Sequence, residues 1–140
     1  MTILKPKKNI ENIEEKIATA RGNDMKVSLK QSMAICNFIK GKKIETALKE
    51  LNEVTKMKRA IPMKGEIPHR KGGFPGRYPI KAAQVFITIL KSLSANASAK
   101  GLDAEKIRLF ASANKASRPH RSGKYSGRKF KRTHIFVSAK

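Results

Sequence analysis

The last thirty-five residues, KIRLFASANKASRPHRSGKYSGRKFKRTHIFVSAK from Lys106 to Lys140, carry eleven lysines and arginines and no acid. Charge of one sign at that density repels itself, and so charged a segment does not disappear into an apolar core. Both ends nevertheless alternate as strands do. Ile107, Leu109, Ala111 and Ala113 share one side of the first end, and Thr133, Ile135, Val137 and Ala139 one side of the second. Between them, Asn114 to Ser126 holds Pro119, Gly123 and serines among cations, the composition of a turn or loop. The pattern predicts two antiparallel strands joined through a long basic tip, each arm about 12–16 residues, or roughly 40–50 Å at ~3.3 Å per residue. Only the roots are apolar enough to rest on a core. An isolated two-stranded ribbon is marginal in water, so something polyanionic is expected to hold the tip. The bland alternative is a flexible basic loop with no specific partner. The clear return of alternation after the tip argues against it.

The rest of the chain has to supply that core. At 140 residues it fits one domain, and a hydrophobic content of 39% suffices for a small core if much of the chain lies outside it. The balance of 32 basic against 10 acidic residues, net +22, makes nucleic acid the first candidate partner. A membrane surface fits less well, because the cations are not confined to the polar face of one helix. Cys36 has no second cysteine for a disulfide or a zinc site, and its apolar neighbours make it a core residue. The opening MTILKPKKNIENIEEKI lacks the apolar run of a signal peptide. The apolar stretch at Ala82–Leu90 is broken by Gln84 and Thr88, too short to span a bilayer. An intracellular, soluble protein is expected.

Residues 1–17 read as an N-terminal extension, a tail or a short helix. Arg21-Gly22-Asn23-Asp24 reads as a turn, with Met25 and Val27 as a short extended segment after it. Ser28 is a candidate N-cap for a first helix whose stripe is Leu29, Met33, Cys36 and Ile39, with Ile35 and Phe38 beside it. Gly41 stops that helix. A second runs from about Ile44 to Thr55, burying Ile44, Ala47, Leu48, Leu51 and Val54 while Lys49, Glu50 and Glu53 face water. Regular pattern then fails over about 56–78, a basic insertion rich in proline and glycine; it reads as a second polyanion-contacting segment, since cations and glycines let a backbone approach phosphates, with a disordered linker as the alternative. A third helix follows Pro79 on Ala82, Ala83, Phe86, Ile87, Leu90, Leu93 and Ala97, and Gly101 ends it. The expected fold is α+β: three helices packed on a small antiparallel three-stranded sheet, with a long protruding basic β-hairpin over about 105–138. Residues 18–140 would form one domain.

Catalytic chemistry is thin. The acids form no paired cluster of the kind a two-metal nuclease needs, and no phosphate-binding glycine motif is present. His69, His120 and His134 each have basic sequence neighbours, which disfavours their cationic form and suits hydrogen bonding to phosphate or base better than general-base work. Binding chemistry is rich. Lysine and arginine neutralise phosphates, and arginine also forks onto them and stacks on bases. Phe110 and Phe130 would share the face opposite the core stripe, as stacking platforms for unpaired bases or as packing at the ribbon's root. No zinc finger, helix-turn-helix or RNP pattern is visible, so recognition goes by shape and backbone.

A family likeness is carried by ARGNDMKVSLKQSMAICNFIKGKKIETALKEL, by HRKG, GRYPIKAA, ANASAKGLD and NKA, by Gly127-Arg128, and by the closing Thr133-His134-Ile135. Together these resemble the universal large-subunit ribosomal protein family numbered twenty-two in bacteria and seventeen in older eukaryotic usage, in its archaeal or eukaryotic form. The resemblance covers about Ala18 to Lys140. It implies a cytoplasmic structural constituent of the large ribosomal subunit with no cofactor, metal or enzymatic activity. It implies binding to large-subunit rRNA, help in its assembly, and a hairpin tip that lines the nascent-peptide exit tunnel. The implied tip is Ser117, Arg118, Pro119, His120, Arg121, Ser122, Gly123 and Lys124. Lys115, Arg128, Lys129, Lys131, Arg132 and His134 would hold rRNA along the arms, and Arg21, Lys64, His69, Arg70, Lys71 and Arg77 from the body. The implied partners are rRNA, neighbouring large-subunit proteins near the tunnel exit and the nascent peptide, with one copy per ribosome and no membrane. Two other readings compete. One is a free-standing basic binder of RNA or DNA, of chaperone or chromatin type, which would treat unrelated duplexes alike. The other is an RNA-processing enzyme working through His69, His120 or His134.

Overall fold

The structure, a computed structural model, describes residues 17–63, 76–103 and 107–140. In chain order these form strand β1 (Ala18–Met25), helix α1 (Leu29–Ile39), helix α2 (Ile44–Thr55), a two-residue strand β2 (Ile61–Pro62), its partner β3 (Gly76–Arg77), helix α3 (Ile80–Ala99), and strands β4 (Leu109–Lys115) and β5 (Thr133–Ala139). One antiparallel sheet has the order β1-β5-β4, and β2 pairs with β3 in a second, minimal one. The expected α+β class and three-helix, three-stranded body are present. The expectations for residues 1–16 and for most of the insertion lie outside the described residues.

The centre of the sheet is β5, whose alternation dictates its place. Thr133, Ile135, Val137 and Ala139 are buried while the residues between them are not. Across the sheet Ala20, Val137 and Ala111 lie in one register row, and Arg21, Phe136 and Ser112 in the next. One face is therefore apolar and covered by helices, and the other is open. The hydroxyl of Thr133, the polar exception on the inner face, donates to the Val27 carbonyl at 3.1 Å, which makes its burial tolerable.

The predicted turn at Arg21–Asp24 is corrected: this stretch belongs to β1, paired with β5 from Ala18 to Met25. Glycine serves the strand here. A Cβ on Gly22 would lie 2.6 Å from Ile89 Cδ1 and 3.0 Å from Met25 Cε, so its absence lets α3 close on the sheet. The irregularity sits just beyond, where the register shifts between Gly22 and Met25 and Asp24 takes φ 50°.

Two helix faces also differ from expectation. In α1 the buried stripe is Ser32, Ile35, Cys36 and Ile39, and Met33 is 50% exposed. Ser32 is small, and its hydroxyl donates to the Ser28 carbonyl, so it can face the core where Met33 was expected. Met33 instead lines an outer groove with Ala34, Phe38, Pro62 and Met63. Ser28 stands at the N-cap position without a side-chain capping bond. In α2, Ile44, Ala47, Leu51 and Val54 are buried as predicted, but Glu50 is buried too rather than facing water. Its carboxylate accepts from Lys42 Nζ and lies 3.0 Å from Arg59 Nη1, so the charge is paired. Both cations also flank the Phe38 ring, at 3.7 Å and 5.6 Å from its centroid. The cluster ties α1, α2 and the chain after α2 together.

Helix α3 fills the middle, burying Ala82, Ala83, Phe86, Ile89, Leu90, Leu93 and Ala97. Ile87, expected in that stripe, is only half-buried, and Ile89 takes its place against Gly22. Polar groups on α3 fasten the start of β1: Asn96 Nδ2 donates to the Thr19 carbonyl and Lys100 Nζ to that of Ile17, both at 2.9 Å. Cys36 is a core residue, and burial pushes its thiol up to about 12, with a backbone hydrogen bond acting weakly the other way. Among the described residues no helix is long and apolar enough to cross a membrane.

Candidate nucleic-acid interface

The hairpin grows from the sheet as a continuation of β4 and β5. Its root is fixed by backbone bonds to the α1–α2 turn, from Gly41 N to the Leu109 carbonyl at 2.8 Å and from Leu109 N to the Lys42 carbonyl at 3.0 Å. The regular ladder covers seven residues in each strand. Beyond it the arms stay joined more loosely. Ala116 N donates to the Arg132 carbonyl, Phe130 N to Pro119 and Arg121 N to Arg128, with an isolated bridge between His120 and Lys129. A single 3-10 turn at Gly123–Tyr125 closes the end, with Gly123 at φ 65° and Gly127 at φ 83°. The ladder stops at Lys115 and Thr133, where the returning arm's dense cations begin, but the pairing of the arms continues.

Ser117, Arg118, Pro119, His120, Ser122, Gly123 and Lys124 are exposed at the tip. Arg121 is the half-buried member, its guanidinium 4.6 Å from the centroid of the Phe130 ring and 6.0 Å from that of Tyr125. Along the arms Lys115, Arg128, Lys129 and Lys131 are exposed, whereas Arg132 is half-buried with Nη1 donating to the Asp24 carbonyl at 3.2 Å. Arg132 thus holds the returning arm against β1. Arg77 is exposed on β3. Lys64, His69, Arg70 and Lys71 lie outside the described residues.

Two concave surfaces flank the hairpin's root. One is the open sheet face, where Arg21, Asn23, Ser112, Asn114, His134 and Phe136 line a shallow depression and the Arg21 guanidinium lies 5.2 Å from the Phe136 ring centroid. His134 has Asp24 as its spatial neighbour despite basic residues around it in sequence. Its Nδ1 accepts from Asp24 N at 3.3 Å, and its Nε2 is 3.9 Å from Asp24 Oδ1. The other surface is a cleft of about 570 Å³ between the returning arm and the body. It is lined by Arg121, Lys129, Phe130, Lys131 and Arg132 on one side and by Lys26, Val27, Ser28, Gln31 and Lys81 on the other. Phe110 alternates with buried Leu109 and lies on the open sheet face, 46% exposed, so the two phenylalanines predicted to share a face line different surfaces.

Lys26, Lys81, Asn23, Ser112 and Asn114 were not singled out from sequence. Lys81 carries a usable signal: a cation in the first turn of a helix opposes the helix dipole and suits a site where an anion arrives. Asn23, Ser112 and Asn114 become visible once β1 is known to extend through Asn23, and Lys26 only where the returning arm meets it. Among the described residues no group of histidine, cysteine and acids could hold a metal ion. Nothing in the arrangement pairs a nucleophile with a base. It offers cations, open rings and amide side chains, groups whose chemistry suits contact with phosphates and unstacked bases.

Residues 20–139 match the family described as ribosomal protein L22p/L17e. The chain is similar to the large ribosomal subunit protein uL22 of Archaeoglobus fulgidus, at 47% identity over 100 residues that cover 67% of this chain and 64% of the relative. It is also similar to the proteins of that name from Methanocaldococcus jannaschii, at 40% identity over 75% of this chain and 71% of the relative, and from Methanococcus vannielii, at 37% identity over 71% and 69%. The matched stretch thus spans about two thirds of these relatives' length.

Proposed function

Because the chain belongs to the ribosomal protein L22p/L17e family, we propose that it is a structural constituent of the large ribosomal subunit in the cytoplasm. In this role it binds large-subunit rRNA, aids its folding during assembly, and presents the hairpin tip to the nascent-peptide exit tunnel. The observation that carries this reading is the division of the molecule. A close-packed body of helices on one sheet face supports a hairpin with no acid between residues 106 and 140.

The mechanism is placement. Root bonds from Gly41 and Leu109, and the Arg132 bond to Asp24, set the direction in which the arms leave the sheet. Exposed lysines and arginines along the arms then neutralise phosphates from several RNA segments at once, releasing counterions and lowering the cost of bringing those segments together. Arg21 and Arg77 add contacts from the body, and neighbouring large-subunit proteins adjoin it near the tunnel exit. At the tip, Arg118, His120 and Lys124 are exposed, and a nascent chain would pass these small and basic groups. One copy serves each subunit, and the role involves no catalytic step.

Deleting Asn114–Ser126 and joining the arms by a short turn tests this. The body keeps its helical signal and cooperative unfolding, because its core lies outside the deletion, while incorporation into large subunits or the passage of nascent chains is impaired. Normal assembly and elongation with the shortened protein would refute the hairpin's assigned role.

A further inference from the structure

We propose that the cleft between the returning hairpin arm and the N-terminal end of α1 holds one unstacked nucleotide of a single-stranded RNA segment. The inference rests on the RNA-binding reading above and names what this part of the surface takes.

Four observations converge. The cleft is open to solvent, and its volume of about 570 Å³ is in the ~300–1,000 Å³ range of small-ligand sites. Lys26, Lys81, Arg121, Lys129, Lys131 and Arg132 line it, and no acid does among the described residues. The Arg121 Nε is buried and has no hydrogen-bond partner among the described residues. Finally, Phe130 has the Arg121 guanidinium 4.6 Å from its ring centroid yet stays 43% exposed, so ring area remains for a second stacked group.

These features discriminate among polyanions. A duplex presents phosphates but keeps its bases stacked inside, and Phe130 in the recess would have no base to meet. An acidic peptide would satisfy the cations and leave the Arg121–Phe130 stack unused. A nucleotide turned out of a single strand uses both, with its phosphate among the lysines and its base on the ring. The helices agree with an anion here: neither α1 nor α3 has an acid in its first turn, and Lys81 is in that of α3. Because the cations come from arm and body alike, the bound nucleotide also fixes the arm against the body.

The test uses the full chain and three labelled probes, followed by fluorescence anisotropy: a single-stranded RNA, an abasic strand of equal length and charge, and an RNA duplex. The intact strand binds more tightly than the abasic one, and Phe130→Leu abolishes that difference by weakening the intact strand about ten-fold, with the abasic strand and duplex unchanged. Met33→Leu, in the outer groove of α1 away from both surfaces, leaves the cleft's preference in place. Helical circular dichroism checks that each variant folds. Equal binding of intact and abasic strands, an equal loss for all three probes in Phe130→Leu, or displacement of the strand by an acidic peptide of the same charge would each overturn the proposal. Sedimentation with large subunits reports on the broader reading separately. A chain that sediments while Phe130→Leu changes nothing refutes the cleft alone.

Discussion

Replacing Glu50 by glutamine removes a charge while keeping the side chain's shape, and the structure sets the size of the effect. Glu50 is the buried acid among the described residues, at 8% exposure in a chain of net charge +22. Its carboxylate serves two cations, Lys42 and Arg59, whose side chains are 27% and 45% exposed. Removing one partner of a fully buried pair costs about 3–5 kcal/mol. Exposed pairs contribute ~0–1 kcal/mol. Here the carboxylate is buried but both cations regain water when it goes, and Arg59 keeps Glu53 at 3.7 Å. The expected loss for Glu50→Gln is therefore about 1–2 kcal/mol, between those limits. For a chain of this size that lowers the melting temperature by roughly 3–8 °C. The assay is urea unfolding followed by helical circular dichroism at low salt and again at ~1 M KCl, where the Debye length is about 3 Å. The deficit should shrink at high salt. A Glu50→Gln protein within ~0.5 kcal/mol of the parent, or a deficit that salt leaves unchanged, would show that the cluster does not hold the α1–α2 corner by charge.

Two further perturbations have expected outcomes. Gly22→Ala places a Cβ against Ile89 Cδ1 and should cost about 1 kcal/mol, with Gly22→Val costing about 1–3. Adding Ile89→Val should recover much of the loss, and a Gly22→Ala protein as stable as the parent by urea midpoint would contradict the close approach of α3. The Cys36 thiol, raised from 9.0 to about 12 by burial, should resist alkylation in the native protein and react readily once unfolded. Since the folded value lies above the unfolded one, this group's contribution to stability is fully present below pH 9.0 and is lost as pH rises towards about 12. Rapid native labelling at pH 8 would refute its burial.

Local pattern carried most of the body. Residues 133–139 alternate so strictly that the strand could be read directly, and the helices at 29–39, 44–55 and 80–99 announce themselves by apolar spacing and by Gly41 and Gly101. The misreadings share one cause: each residue's place is set by a partner that composition and spacing do not report. Gly22-Asn23-Asp24 has turn composition, but Gly22 is fixed by Ile89, and the break in pairing follows it at Asp24. Glu50 looks solvated until Lys42 and Arg59 are placed beside it. Ser32 looks too polar for a core until the Ser28 carbonyl receives its hydroxyl. The antiparallel pairing of β4 with β5 was legible from alternation. The cleft was not, because it exists only where the returning arm meets Lys26 and Lys81, and no sequence spacing reports that meeting.

The central claim is that this chain belongs in the large ribosomal subunit and is held there through RNA. Sedimentation of the tagged protein from cell lysate, first with magnesium and then with EDTA, tests it most directly. The chain should travel with large subunits, follow the large subunit when the subunits part, and come off only at high salt, steeply, as its many phosphate contacts are lost together. A protein that stays at the top of the gradient, or leaves the subunit at moderate salt, would contradict the claim and mark the chain as a loose binder of polyanions.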